Sequence, residues 1–396
     1  MTATHTMHAT APTVQLHLAF ELGWSQWVLA FTVGHGQAPR LRTIRARDEE
    51  ALKAEIAKAK LRFGLPADAP VVSCYEAGRD GFWLHRYLTA QGISNLIVDS
   101  SSIEVNRRKR RAKTDRIDAG KLLCLLVRYH NGEKKVWSVV RVPTVAEEDQ
   151  RQLGRELLAL KDEQTQHVNR IKALLASQGL DVKVDEKFPE RLAAFRLWDQ
   201  TTLGEDRQQQ LQREFARWQF VHRQILDLEA QRRQCIRRAE TPAVKQVRSL
   251  LELRGIGLNG AWLLVRELFG WRTIRNRREL AALVGLTPMP YQSGDSACEQ
   301  GISKAGNRRL RRLLVELAWG WLRWQPSSAL SRWYAARFGS GRRARKVGIV
   351  AVARKLLVAL WRYLDRGEVP EGALLCDWRD KVDPSRKKVA AVAAEA

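Results

Sequence analysis

Between residues 147 and 178 the chain keeps one rhythm. Leu153, Leu157, Leu160, Ile171 and Leu174 stand at alternating steps of four and three, and Gln164 and His167 fill the two remaining places. Leu211, Phe215, Trp218, His222 and Ile225 repeat the rhythm further on. A period of about 3.5 residues holds one stripe of an α-helix against a partner over many turns. The chain is therefore predicted to contain two long helices, packed on each other or on a second copy. His167 and His222 fall on the seam, where polar groups set register, and are read that way in preference to catalysts. Residues 179–206, with Pro189, read as a short inserted structure between the two helices.

This helical stretch, residues 146–240, separates two regions of different character. Residues 14–145 read as α/β. Segments 14–20 and 27–33 alternate like strands, 48–61 and 81–91 look helical, and 71–75 and 95–99 are short buried-strand candidates. Two strands in hairpin order followed by strand–helix alternation imply a mixed sheet with helices packed on it. Residues 245–378 read as mostly helical, with loops at the glycines and prolines. Trp319, Trp321, Trp324 and Trp333 could stack on bases, but helical tryptophans more commonly serve a core. The predicted fold class is α/β plus α, with flexible tails at 1–13 and 381–396.

Charge narrows the partner. The chain carries 68 Lys and Arg against 43 Asp and Glu, a formal net charge of +25. Such a surplus repels itself unless a polyanion neutralises it, and nucleic acid is the natural polyanion. Much of it is arginine in clusters: Arg107, Arg108, Lys109, Arg110 and Arg111, with Lys113 close by, and Arg308, Arg309 and Arg312 after Lys304 and Asn307. Arginine presents a planar fork that matches a phosphate. The five cysteines form no Cys-x-x-Cys pair, which argues against a zinc site or a disulfide framework. No apolar run approaches the ~18 residues that span a bilayer, and the small, polar N-terminus does not read as a signal peptide. The expectation is a soluble, cytoplasmic, nucleoid-associated protein with no membrane partner.

Three motifs could carry chemistry. Asp115 and Asp118 lie where Thr114 can cap a helix, and their i,i+3 spacing puts both on one helix face. They suit a divalent cation or, more plainly, the helix dipole. Glu21 after the first strand and Glu76 at the end of a buried strand favour the cation, because strand-end acids beside a helix-borne pair make a phosphoryl-transfer layout. Arg254, Gly255 and Gly257 form a Gly-apolar-Gly turn resembling a helix-hairpin-helix element, which offers backbone N–H groups to a DNA phosphate, or is an ordinary interhelical turn. Ser293, followed by Gly294, sits in a turn-rich stretch before the basic helix. Glycine lets a substrate approach closely, and no His-Asp partner is nearby to form a hydrolase triad. Ser296 and Ser303 compete with it on sequence chemistry alone.

Taken in order, Tyr-Glu-Ala-Gly (75–78), Lys-Thr-Asp-Arg-Ile-Asp-Ala (113–119), Leu-Arg-Gly-Ile-Gly (253–257), Gly-Leu-Thr-Pro (285–288), Ser-Gly (293–294) and Gly-Ile-Ser-Lys-Ala-Gly-Asn (301–307) resemble the transposases of the insertion-sequence 110 family and the related Piv-type DNA invertases. The resemblance runs from about residue 15 to 365. It implies a RuvC-like N-terminal domain of ribonuclease H fold with a DEDD metal tetrad, a coiled-coil linker, and a C-terminal transposase domain with a nucleophilic serine. Carried over position by position, Glu76, Asp115 and Asp118 are the second, third and fourth acids. Glu21 takes the first place, where the family usually has Asp, and Ser293 is the nucleophile. The cofactor implied is Mg²⁺ (or Mn²⁺). The partners implied are DNA (element ends and target), a noncoding guide RNA, and further copies of the chain as homodimers pairing into a homotetramer. The expected activity is cutting and rejoining of DNA through a phosphoserine link, at a site composed from both domains. The alternatives are a metal-dependent, junction-resolvase-like nuclease, a site-specific invertase of the same family, and an inactive relative that only coats nucleic acid.

Overall fold

The structure, a computed structural model, describes residues 14–104, 114–293, 296–338, 341–383 and 385–386, with side chains described for all of these except 291–300, 342 and 343. The chain divides into two compact units, Met1–Pro143 and Thr144–Ala396.

The first unit is built on strands β1 (Leu16–Leu22), β2 (Gln26–Thr32) and β3 (Arg40–Arg45), helix α1 (Glu49–Arg62), β4 (Val71–Glu76), α2 (Trp83–Ala90), β5 (Ser94–Val98) and α3 (Asp115–His130). The five strands form one sheet in the order β3-β2-β1-β4-β5. The first three pair antiparallel, and β4 and β5 add parallel to β1. Strand alternation sorts the side chains. Leu16, Leu18, Phe20, Leu29 and Phe31 face Leu52 and Ile56 of α1 and Leu84 and Leu88 of α2. Ala19, Ala30, Val72, Cys74 and Val98 face Ala119, Leu122 and Leu126 of α3. Small residues on that second face let α3 lie close to the sheet. β3 was not expected: its sequence is Arg-Leu-Arg-Thr-Ile-Arg, and only Ile44 is buried. As an edge strand it needs no apolar alternation, and its arginines discourage a further strand from pairing.

The second unit begins with α4 (Val145–Asp149), α5 (Gln152–Ala176), α6 (Phe188–Ala194) and α7 (Glu205–Arg238). The predicted helix pair is present within one chain. Lys161 reaches Glu229 at 2.7 Å, Gln164 reaches His222 at 2.9 Å and His167 reaches Glu214 at 2.7 Å, so α5 and α7 run antiparallel. Leu157 packs with Val221 and Ile225, and Ile171 and Leu175 pack with Leu211, Phe215 and Trp218. Phe188 of the insert closes that end. There follow α8 (Pro242–Glu252), α9 (Leu258–Leu264) prolonged by a π-helical turn (Val265–Phe269), α10 (Arg277–Leu283), β6 (Pro288–Ser293), β7 (Ser296–Ile302), α11 (Arg308–Trp324), α12 (Ala329–Phe338), α13 (Arg342–Arg366) and α14 (Arg379–Val382). Their core gathers Leu250, Leu264, Leu314, Trp321, Val352 and Leu356. The segment read as a turn-rich loop is a two-stranded hairpin, β6–β7. Among the described residues, no helix is long and apolar enough to cross a membrane.

Candidate active-site carboxylates and the serine hairpin

Strand parity decides where Glu21 and Glu76 point. Glu21 shares the parity of Ala19, and Glu76 that of Cys74, so both belong to the face covered by α3. Phe20 pairs with Tyr75, and the next positions along the two parallel strands are Glu21 and Glu76. Neighbouring strands lie ~4.8 Å apart.

Two contacts set the direction and level of α3. The rings of His17, early in β1, and His130, ending α3, lie 5.7 Å apart, so α3 runs antiparallel to β1 and β4. Midway, the Cys74 thiol meets the Leu122 carbonyl at 3.9 Å. From that contact Asp118 is one turn back, about 6 Å along the helix axis. Glu76 is two residues on, about 6.6 Å along the strand. Asp118 therefore stands level with Glu21 and Glu76 at one end of the sheet. Thr114 caps the helix, its hydroxyl accepting from the Ile117 N–H at 3.3 Å. Glu21, Glu76 and Asp118 are half-buried and Asp115 is exposed. Asp118 accepts from Lys121 Nζ at 2.9 Å.

An all-carboxylate donor set suits a hard divalent cation such as Mg²⁺. In donor type these four residues suit one, and three of them, Glu21, Glu76 and Asp118, share one end of the sheet. Among the described residues, however, no three His, Cys, Asp or Glu side chains are gathered closely enough to hold an ion. The same end of the sheet carries groups that sequence reading passed over. Trp24 lies three residues past Glu21, and Arg79 and Asp80 follow Glu76; the available signal was a tryptophan directly after Gly23 between two strands.

Ser293 ends β6, its backbone paired with Ser296 of β7. The ladder runs through Tyr291–Cys298 and Gln292–Ala297, with a register shift between Pro288 and Pro290. Gly294 lies outside the described residues. The hairpin base is pinned where the Ser303 N–H donates to the Thr287 carbonyl at 2.9 Å and the Asn307 N–H to that of Leu283 at 2.9 Å. Gly285 and Gly306 interlock there, with φ of +69° and +97°. A Cβ on Gly285 would fall on the Ala305 carbonyl, and one on Gly306 would come 2.5 Å from that of Leu283. The Asn307 side chain caps α11, accepting from Arg309 and Leu310 N–H at 3.0 and 3.1 Å. Lys304, Arg308, Arg309 and Arg312 are exposed beside it. Arg312 pairs with Glu316 at 3.0 Å.

The Gly-apolar-Gly turn joins α8 to α9. Gly255, at φ +90°, backs onto Trp324, and Gly257 is the N-terminal cap residue of α9. Lys381 Nζ donates to the Leu253 and Ile256 carbonyls at 2.8 and 2.9 Å, which fixes the turn. Arg254 and Gly257 remain exposed. The basic cluster Arg107, Arg108, Lys109, Arg110, Arg111 and Lys113 lies outside the described residues.

Residues 247–333, which hold the Gly-apolar-Gly turn, the serine hairpin and the start of α11, match the family described as "Transposase IS116/IS110/IS902 family". The chain is 41% identical over 379 residues to "Putative transposase y4rJ" of Sinorhizobium fredii, covering 91% of this chain and 94% of that protein. It is 26% identical over 324 residues to "Putative transposase y4qE" of the same organism, 74% of each chain. It is also 33% identical over 122 residues to "Transposase for insertion sequence element IS1328" of Yersinia enterocolitica, 30% of this chain and 36% of that one.

Proposed function

The chain belongs to the IS116/IS110/IS902 transposase family, and we propose that it cuts and rejoins DNA with Ser293 as nucleophile and Glu21, Glu76, Asp115 and Asp118 as holders of Mg²⁺ (or Mn²⁺). The observation that carries this reading is the antiparallel course of α3, which brings Asp118 level with two strand-end glutamates on one sheet face. Three antiparallel strands followed by two parallel ones, with an acid-bearing helix on one face, support a RuvC-like domain of ribonuclease H fold.

In the reaction, Ser293 Oγ bonds to phosphorus as the P–O bond to one deoxyribose breaks. The serine hydroxyl loses its proton and the departing oxygen takes one up, so a phosphodiester becomes a phosphoserine ester. Attack by a different strand end reverses the step and rejoins DNA. A divalent cation held by these carboxylates would supply positive charge beside the phosphate oxygens. Glu21, Glu76, Asp115 and Asp118 would hold it, and exposed Arg308, Arg309 and Arg312, with Arg254 and the Gly255–Gly257 turn, hold strand backbones.

A noncoding guide RNA would choose sites by base pairing and leave the protein backbone and shape to read; the +25 charge supports this. Assembly as dimers pairing into tetramers belongs to the same proposal.

A covalent-trap assay tests the chemistry. Protein with its co-purifying RNA, Mg²⁺ and end-labelled element DNA is run on a denaturing gel beside Ser293→Ala and Asp118→Ala. The expected result is a denaturant-resistant protein–DNA band that disappears in both variants. Cleavage with no such band, unchanged in Ser293→Ala, would instead identify a metal-dependent nuclease and leave Ser293 a turn residue.

A further inference from the structure

Trp24 is 69% exposed at the turn between β1 and β2. An unsupported tryptophan would be a poor surface residue, but this one is held from several sides. A Cβ at Gly23 would fall on the Gln26 carbonyl, so the turn that presents the indole needs glycine there. The guanidinium groups of Arg47 and Arg79 lie 5.1 and 5.0 Å from the ring centroid. Arg47 adopts φ 66°, the left-handed region that a residue with a side chain rarely enters, and donates to the Trp24 carbonyl at 3.3 Å. Arg79 donates to the Leu22 carbonyl at 3.4 Å. Both arginines pair with Asp80, at 3.2 and 3.1 Å, and its carboxylate is only 5% exposed. One acid offsets two guanidinium groups, which leaves the indole beside net positive charge.

The platform grows out of the two strands that carry the acids. Trp24 lies three residues past Glu21, and Arg79 three past Glu76. Two guanidinium groups lie over the ring, yet the indole stays 69% exposed, so its open surface offers stacking to a flat π-system and the arginines contact to an adjacent phosphate. A paired base within a duplex has both faces covered, so the matching ligand is a base free of its stack. An aliphatic protein partner would call for an apolar surround, whereas this indole is ringed by charge.

We propose that Trp24, supported by Arg47, Arg79 and Asp80, is a stacking platform for an unpaired base of the nucleic-acid strand that lies at the carboxylate end of the sheet. The inference rests on the proposed function for where that strand runs. Trp24 would be a positioning residue that holds the strand beside the acids.

The test uses the full chain in EDTA, so it does not depend on metal chemistry or strand cleavage. Fluorescence anisotropy gives the affinity for a short oligothymidylate and for a same-length strand of abasic sites. Stacking of one base on an aromatic corresponds to a preference of about 5- to 150-fold. The wild-type chain should prefer the base-bearing strand by at least about fivefold. Trp24→Ala should lose most of that preference while binding the abasic strand as before, and Trp24→Phe should retain most of it. A merely structural role would weaken both strands together. The proposal is overturned if wild type shows no preference, if Trp24→Ala keeps it, or if Trp24→Phe is as impaired as Trp24→Ala. If Glu76→Gln and Asp118→Asn still process DNA while the base preference holds, the carboxylate reading fails and the platform stands.

Discussion

At position 21 the carboxylate reaches one methylene further than an aspartate would. If it holds a cation, its charge matters more than its length. Glu21→Gln should then lose roughly 100-fold or more in strand exchange, on the scale of removing one preorganised electrostatic group from an active site, while Glu21→Asp keeps measurable exchange. Both should bind DNA as wild type does, which a gel-shift assay beside the exchange assay would check. Equal exchange by Glu21→Gln and wild type would remove Glu21 from the site. Gly306 makes a different kind of demand. At φ +97° with no room for a Cβ, alanine combines left-handed strain with overpacking against the Leu283 carbonyl. Gly306→Ala should cost about 2–4 kcal/mol, read as a lower urea midpoint, and should loosen the hairpin base that positions Ser293. An unchanged midpoint would mean that the loop shifts freely and the interlock with Gly285 does not anchor the hairpin.

Between elements, the contacts are more specific than the periodicity that foretold them. His17 is 5% exposed and packs β1 against the end of α3. Burial, then the neighbouring His130, pulls its pKa from 6.5 down to about 4; burial, then Lys134, also lowers that of His130. The folded state keeps His17 neutral while the unfolded chain protonates below 6.5. Its contribution is thus fully present above pH 6.5 and is lost as pH falls toward about 4. Melting temperature should drop through that window, and His17→Gln should flatten the drop. On the α5–α7 seam, burial raises the pKa of Glu214, but the His167 hydrogen bond and Arg217 outweigh it and leave the group below its usual range. Glu214→Leu alone strands His167 and should cost about 1–3 kcal/mol, whereas Glu214→Leu with His167→Leu should recover most of the loss. Chemical denaturation of both variants would show whether the pair contributes register more than stability. The seam was legible because a stripe of that period has few alternatives. β3 was not, since an edge strand with one buried residue carries no alternation to find. The β6–β7 hairpin was hidden by Pro288 and Pro290, because its pairing is enforced by the anchored base and not by local propensity. The acids themselves were readable as strand-end and helix-face positions. Their common level was not, since it depends on how α3 returns across the sheet.

Over the whole molecule the +25 charge is a sum of cations with different employment. Arg155 makes a two-pronged pair with Glu267 at 2.7 and 3.0 Å, and Arg248 is tied to Glu240 at 2.7 Å and to the Ile236 carbonyl at 2.8 Å. Such residues hold the fold and have little left for a phosphate. Arg308 and Arg309 are exposed at the start of α11. Arg312 is 78% exposed, and its pair with Glu316 is open to solvent, where an ion pair is worth little and is easily exchanged. The salt dependence of duplex binding should therefore register the second group and ignore the first. Each phosphate neutralised contributes about −0.9 to the slope of log K against log salt. Replacing Arg308, Arg309 and Arg312 by Gln should therefore make the slope shallower by about 2–3, with little change in melting temperature. Arg248→Gln should do the reverse, lowering stability through the lost cap and pair while leaving the slope of the folded protein unchanged. Anisotropy titrations across a range of KCl concentrations separate the two outcomes. A triple variant with an unaltered slope would place the DNA path away from α11 and move the backbone-holding role to cations elsewhere in the chain.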